Sequence, residues 1–172
     1  MKFQLNEPQE IVLLNGPSSA GKSTLSYELQ KQIKNSLNLN YSIVSIDDYM
    51  QSDIDGKRCK DDILKISGDM CKQVIKDLKK HDGVIIDHLI TSEKIFKQLE
   101  EMLSEYAILL VLVTAPLTTL QEREAERGNR YSGLAEDTYE NLFPRFGYDI
   151  TVDTCFLSTK TASLKIIHGA MV

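Results

Sequence analysis

Short apolar runs alternate along the chain with longer segments in which apolar residues recur every three or four positions. The short runs predict buried parallel strands, and the longer segments predict helices. The predicted strands are 11–15, 41–46, 83–87, 107–113 and 148–153. The predicted helices are 22–37, 61–80, 92–106, 117–127, 134–142 and 158–168. The second of these helices contains Gly68, where an interruption is expected.

Strands that alternate with helices form an open parallel sheet with helices on both faces, joined by right-handed crossovers. The run 107–113 is the most apolar of the five, which predicts a central place in the sheet. Ligands of such sheets bind at the carboxyl ends of the strands. Three of these ends carry Gly16, Asp47 and Asp87, which therefore mark the expected site.

The loop after the first strand has a recognisable sequence. Residues 16–23 read GPSSAGKS, which fits GxxxxGK followed by Ser or Thr, the phosphate-binding loop (P-loop) of nucleoside-triphosphate enzymes. Glycines let the backbone curl so that its amides point at a phosphate, and the following helix N-terminus adds partial positive charge. Lys22 would reach the β- and γ-phosphates, and the Ser23 hydroxyl would bind Mg²⁺. The predicted nucleotide-binding residues are Gly16, Pro17, Ser18, Ser19, Ala20, Gly21, Lys22, Ser23 and Thr24.

Two aspartates and a histidine follow the next predicted strands of the site. Asp47 could accept a proton from an acceptor hydroxyl or orient it, or it could be an ordinary helix-capping aspartate. Asp87 ends an apolar run in the manner of a Walker B strand, whose carboxylate holds magnesium. His88 follows directly and either contacts substrate or packs as a structural histidine.

Three arginines lie in or just after the helix at 117–127. Arg123 and Arg127 are four residues apart and share a helix face, and Arg130 lies beyond the helix. Their guanidinium groups could clamp the triphosphate or neutralise transition-state charge. The segment 127–142 is the predicted mobile lid. The alternative is a solvated helix end in which the arginines pair with Glu122, Glu124 and Glu126.

The composition of the chain limits the classes of protein to which it can belong. The chain has 172 residues and a net charge of −5, which suits one domain and argues against nucleic acid as the main partner. No apolar run approaches the about 20 residues of a membrane span, and the first residues lack a signal-peptide core, so a cytoplasmic protein is expected. Three cysteines without a CxxC pair predict free thiols. No NKxD sequence, the guanine-specificity motif of GTPases, occurs, which favours ATP or an unselective base pocket.

These motifs together resemble the chloramphenicol phosphotransferase family. The resemblance extends from about residue 11 to residue 154, and the P-loop with the arginine–glycine–arginine lid is its most specific part. The stretches that carry it read IVLLNGPSSAGKS, SIDDY, VIIDH, REAERGNRYSG and YDITVDT.

The resemblance implies a nucleotide-kinase-like fold that uses ATP and Mg²⁺ to phosphorylate a hydroxyl of a small molecule. In that family the aspartate after the second strand is the proposed catalytic base, and Asp47 takes this position. The P-loop would bind ATP, and Arg127 and Arg130 match the lid arginines. The stretch 49–68 is shorter and more charged than in chloramphenicol phosphotransferase, which favours a more polar acceptor.

The sequence thus predicts an α/β P-loop kinase of one domain, with Lys22, Asp47, Arg127 and Arg130 as catalytic residues. Arg123 adds to the nucleotide site, and Ser23 and Asp87 form the metal site. The alternatives are a nucleotide or metabolite kinase, a zeta-toxin-like kinase, and a non-catalytic ATP-binding module. A base and a metal-binding carboxylate argue against the last. The acceptor, a role in antibiotic resistance, and a monomer or homo-oligomer all stay open.

Overall fold

A computed structural model describes residues 10–50, 63–128 and 132–170. The strands are β1 (Glu10–Asn15), β2 (Tyr41–Ser45), β3 (Gly83–Asp87), β4 (Ala107–Thr114) and β5 (Ile150–Asp153). The helices are α1 (Lys22–Leu37), α2 (Ile63–Leu78), α3 (Glu93–Met102), α4 (Leu117–Arg127), α5 (Leu134–Glu140) and α6 (Thr159–Ala170). A single 3-10 turn, Ile46–Tyr49, follows β2.

The five strands form one parallel sheet in the order β2-β3-β1-β4-β5. The prediction that 107–113 would be central needs correction, because β1 is the middle strand and β4 lies beside it. An apolar strand is one that is buried on both faces, and all interior strands of the sheet are buried in this way. Apolarity therefore does not show which interior strand is the middle one. In β1, Ile11 to Leu14 are at most 2% exposed.

Side chains of β1 alternate between two apolar layers. Val12 and Leu14 pack with the buried faces of α1 and α6, whereas Ile11 and Leu13 pack with α2 and α3. Each face of the sheet is therefore covered by helices, as the alternating sequence pattern predicted. The carboxyl end of β1, where the P-loop begins, consequently lies in the middle of the sheet edge.

Most predicted boundaries agree with the structure within a few residues, with one clear error. α2 runs without a break through Gly68, where an interruption was expected. A Cβ at this position would lie 3.2 Å from Nε2 of Gln98 in α3, so the glycine allows the two helices to approach closely. Strand 41–46 ends one residue early because Ile46 begins the 3-10 turn. The predicted loop 51–60 lies outside the described residues.

The two described cysteines are free thiols, as the sequence predicted. Cys71 is buried and Cys155 is exposed, while Cys59 lies outside the described residues. Burial raises the pKa of the Cys71 thiol to about 11, so this thiol stays protonated. Within residues 10–50, 63–128 and 132–170, none of the helices has the length and apolar character needed to cross a membrane.

Candidate active site

The loop between β1 and α1 is tightly curled, and two glycines make this backbone possible. A Cβ on Gly16 would lie 1.9 Å from the carbonyl oxygen of Val113 in β4, so no larger residue fits without a backbone shift. Gly21 has φ +88° and Ser19 has φ 65°, both in the left-handed region. This close approach to β4 is a tertiary reason for the glycine at the start of the motif.

Lys22 and Ser23 open α1 and point into the site. The Lys22 side chain is buried, and its Nζ donates hydrogen bonds of 2.9 Å to the carbonyl oxygens of Gly16 and Pro17. The Ser23 hydroxyl donates to Oδ2 of Asp87 at 2.6 Å. The carboxyl end of β3 therefore lies against the first turn of α1, and the magnesium-binding role of Asp87 stays a prediction.

One cavity gathers most of the charged residues singled out from the sequence. Lys22, Asp47, Asp87 and Arg127 all line it, although they come from four separate segments of the chain. We call it the central cavity. Its lining residues are Ser19, Gly21, Lys22, Ser23, Ile46, Asp47, Asp87, His88, Leu89 and Arg127. Arg130 lies outside the described residues, so its place in the site stays a prediction.

Asp47 lies in the 3-10 turn that follows β2. The Ser45 hydroxyl accepts a hydrogen bond from the Asp47 backbone N–H at 3.3 Å, which caps the turn. Asp47 is exposed and lines the central cavity, whereas Asp48 does not line it. The turn thus places only one of the two adjacent aspartates at the central cavity. From the sequence, the two could be told apart only by assuming that neighbouring residues of a strand point to opposite faces.

Arg123 braces the P-loop. Its guanidinium donates to the Thr154 carbonyl and hydroxyl oxygens at 2.9 Å, and to the Ser19 carbonyl at 3.4 Å. The Thr154 hydroxyl in turn donates to the carbonyl of Ala20 at 2.9 Å. The segment after β5 is therefore tied to the P-loop through Arg123. A direct contact of Arg123 with nucleotide stays a prediction.

A second depression adjoins the P-loop beside α4. We call it the side groove. It is lined by residues of the P-loop, of the starts of α1 and α6, of α4 and of the segment after β5: Ser19, Gly21, Thr24, Leu25, Arg123, Glu126, Arg127, Thr154, Leu157 and Thr159. Arg127, Ser19 and Gly21 line both the side groove and the central cavity. The two depressions therefore meet at the P-loop.

The structure reveals a buried asparagine at the end of β1 that sequence reasoning did not single out. Asn15 is 0% exposed and accepts a hydrogen bond from the backbone N–H of Ile90 at 3.0 Å. Its Nδ2 donates to the Phe143 carbonyl and the Tyr148 hydroxyl, both at 2.9 Å. Burial raises the Tyr148 pKa to about 12, so the phenol stays protonated. Asn15 thus joins the loop after β3 to the segment before β5.

Replacing Asn15 with leucine should lower the free energy of unfolding by about 2–4 kcal/mol, because one buried and two half-buried partners would lose their hydrogen bonds. Urea denaturation measures this as a lower midpoint at an unchanged m-value. Asn35→Leu is the matched control, since Asn35 is exposed on α1. Equal stability of Asn15→Leu and the control would contradict the role assigned to Asn15.

Glu124 is a second residue whose role the sequence did not indicate. It was considered there as a surface partner of arginines, but it is only 7% exposed. Its carboxylate accepts hydrogen bonds from the backbone N–H groups of Gly133 at 2.9 Å and Ala135 at 2.7 Å, at the start of α5. On α5, the Thr138 hydroxyl oxygen accepts from the Ser18 N–H at 2.9 Å. Part of the predicted lid is therefore attached to the P-loop.

A comparison with models of known protein families shows which family the chain belongs to. The model described as "Chloramphenicol phosphotransferase-like protein" matches residues 9–170. This chain belongs to that family. The resemblance predicted from the sequence is confirmed, and family membership supports a small-molecule phosphotransferase. A search of curated proteins found no match.

Solved structures of kinases superpose on nearly the whole chloramphenicol phosphotransferase-like chain. An APS kinase from Mycobacterium tuberculosis, solved with AMPPNP and APS, gives a TM-score of 0.74 at 9% identity, covering 96% of this chain and 99% of its own. A gluconokinase from Sinorhizobium meliloti 1021 gives 0.66 at 18%, covering 95% and 91%. Shikimate kinase from Acinetobacter baumannii gives 0.65 at 16%, covering 94% and 93%. At these identities the likeness confirms the fold class alone.

The residues expected to bind Mg²⁺ fit that ion. Mg²⁺ prefers oxygen ligands and is usually held by one or two protein groups together with substrate phosphates and water. The Ser23 hydroxyl and the Asp87 carboxylate supply two such oxygens 2.6 Å apart at the rim of the P-loop. Both line the central cavity. The donor set therefore suits a magnesium ion that is shared with a bound triphosphate.

His88 follows Asp87 and is 0% exposed. Burial lowers its pKa to about 4, and the charge of Lys22 acts in the same direction, while the Leu89 backbone and the Asp47 carboxylate oppose it. The imidazole is therefore neutral at physiological pH. Among the described residues, neither ring nitrogen has a hydrogen-bond partner.

Proposed function

We propose that this protein transfers the γ-phosphoryl group of ATP to a hydroxyl group of a small molecule. One observation carries the proposal: a P-loop lysine, a hydroxyl–carboxylate pair suited to Mg²⁺, an arginine and a further aspartate line the same cavity. Phosphoryl transfer depends mainly on positioning and on stabilisation of charge, and these groups supply both. A module that only binds nucleotide has no need of a second carboxylate beside the phosphates.

Each group has a role in holding the triphosphate. The backbone amides of the P-loop and the N-terminus of α1 face the phosphates, and Lys22 neutralises charge on the β- and γ-phosphates. Arg127 lies where the central cavity meets the side groove, so its guanidinium can reach phosphate oxygens. Ser23 and Asp87 would hold Mg²⁺, which draws negative charge from the β- and γ-phosphate oxygens when bound.

Asp47 is the proposed base of the transfer. As the acceptor oxygen bonds to the γ-phosphorus, the bond from that phosphorus to the β–γ bridging oxygen breaks. The hydroxyl proton passes to the Asp47 carboxylate, and ADP leaves with the bridging oxygen. Lys22 and Arg127 stabilise the charge that develops on the oxygens of the transferring group.

The side groove is the proposed site of the nucleotide base and ribose. It adjoins the P-loop and is lined by the Leu25 and Leu157 side chains together with Thr154, which offers both apolar contact and hydrogen bonding. The brace from Arg123 to Thr154 would fix this wall before nucleotide binds. Residues 127–142 are the proposed lid, which would exclude water during transfer.

The proposal is tested by a mass-spectrometric screen with ATP and Mg²⁺. The acceptor panel contains chloramphenicol and other hydroxylated antibiotics, sugars, nucleosides, an amino-sugar nucleotide, and the gluconate and shikimate named by the structural neighbours. A product one phosphoryl group heavier than an acceptor, with a polar acceptor preferred over chloramphenicol, is the expected result. Clear ATP binding without transfer to any acceptor would favour the regulatory module instead.

A further inference from the structure

The side chain of His88 lies on the opposite face of the sheet from the proposed magnesium site. Along β3, Ile85 packs into the α1 layer, whereas Val84 and Ile86 pack into the layer of α2 and α3. Asp87 continues this alternation and meets Ser23 of α1. The His88 N–H donates to the Leu14 carbonyl at 3.0 Å, so the extended pairing continues for one more residue. His88 is therefore directed to the α2 and α3 side.

His88 nevertheless belongs to the lining of the central cavity. His88 is one of its lining residues, and the ring interacts with the charges of Lys22 and Asp47, which line the cavity from two other segments. The Leu89 backbone acts on the imidazole by opposing the fall in its pKa, but neither ring nitrogen makes a hydrogen bond of full geometry within the described residues. A buried polar group without a partner costs stability, and proteins keep such groups mainly where function requires them.

The backbone around His88 is held from both sides. The Ile90 N–H donates to Oδ1 of Asn15 at 3.0 Å, and the Ile90 carbonyl accepts from the Phe143 N–H at 2.9 Å. Together with the bond from His88 to Leu14, these contacts fix the backbone at His88 and at Ile90. A preorganised polar group loses little entropy when it binds a ligand. The backbone that carries the ring is therefore held in place before a partner enters the cavity.

We propose that His88 binds the acceptor, with one ring nitrogen hydrogen-bonded to a polar group beside the hydroxyl that Asp47 addresses. This inference rests on the proposed function and narrows its substrate class. The acceptor carries a second hydrogen-bonding group close to the reacting hydroxyl, as in a vicinal diol or a hydroxyl next to an amide. His88 is thus a specificity-determining residue, and Asp47 remains the base.

The test uses the full chain and two variants. His88→Leu removes both nitrogens while keeping an apolar side chain of similar size, and His88→Gln keeps an amide that can reach the same group. With the acceptor that gives the most product in the panel, His88→Leu should raise the acceptor KM at least about tenfold, because it leaves a buried polar group of the acceptor unpaired. The ATP KM should stay unchanged, and His88→Gln should recover part of the loss.

Thermal denaturation separates this role from a structural one. His88→Leu removes a buried unpartnered imidazole, so its melting temperature should equal or exceed that of the wild type. His168→Leu, at an exposed histidine of α6, is the control and should leave both KM values unchanged.

Two results would overturn the assignment. If the wild type is active and His88→Leu leaves the acceptor KM unchanged, the role of His88 is refuted while the proposed function stands. The same conclusion follows if His88→Leu loses stability in proportion to its loss of activity. A wild type that transfers to no panel compound removes the proposed function, and the role of His88 falls with it.

Discussion

Replacing Lys22 with alanine is expected to lower kcat/KM for phosphoryl transfer by about a hundred- to a thousandfold and to weaken ATP binding as well. The ammonium is buried in the P-loop, 2.9 Å from two of its carbonyl oxygens, so its charge acts on the phosphates at short range and with little screening by water. It contacts the phosphates in both the ground state and the transition state. The KM for ATP should therefore rise and kcat should fall.

The matched control for this variant is Lys31→Ala. Lys31 lies on the same helix, its side chain is 66% exposed, and its Nζ lies 3.8 Å from Oε2 of Glu28. The control should bind and turn over ATP like the wild type, since exposed ion pairs contribute little. Isothermal titration with a non-hydrolysable ATP analogue, followed by steady-state kinetics, measures the two effects separately. Retention of wild-type affinity by Lys22→Ala would refute the nucleotide site.

Replacing Asp47 with asparagine is expected to abolish transfer while leaving ATP affinity unchanged. The amide keeps the size of the side chain but cannot take the acceptor proton, and loss of a general base costs about a hundred- to ten-thousandfold in kcat. Asp47 comes from the turn after β2, outside the P-loop, and lines the central cavity. The effect should therefore appear in kcat and not in nucleotide binding.

Asp48→Asn is the control for the role of Asp47. Asp48 is the next residue of the same 3-10 turn and is also exposed, but it does not line the central cavity. The two variants change charge equally, so a difference between them reports position and not net charge. If Asp47→Asn turned over normally, or if both variants lost the same activity, the assignment of Asp47 as the base would be wrong.

Local patterns were sufficient for the elements and for the P-loop. The helix 22–37 and the strand 83–87 agree with the structure at both ends. Helix periodicity, apolar runs and glycine positions are properties of neighbouring residues, so a sequence displays them directly. The common location of Asp47 and Asp87 could also be predicted, because parallel strands bring their carboxyl ends to one edge of the sheet.

Contacts between distant segments were not visible in the same way. Asn15 bonds to residues 128 and 133 positions further along the chain, and nothing near it in the sequence indicates such partners. The charge of Arg123 predicted a phosphate ligand, and nothing near it in the sequence indicated that its guanidinium also contacts Thr154 and Ser19. Glu124 resembled a solvated carboxylate, and only the packing of α5 against α4 buries it.

Sequence patterns were enough to predict the α/β architecture, the P-loop, and the carboxylates expected to serve the metal and the acceptor. The order of the strands and the network around Asn15 became visible only in the folded molecule. The same is true of the burial of His88, whose ring nitrogens have no hydrogen-bond partner among the described residues. The physical reason is that periodicity and turn chemistry act over a few residues, whereas burial and hydrogen-bond partners depend on which distant segments pack together.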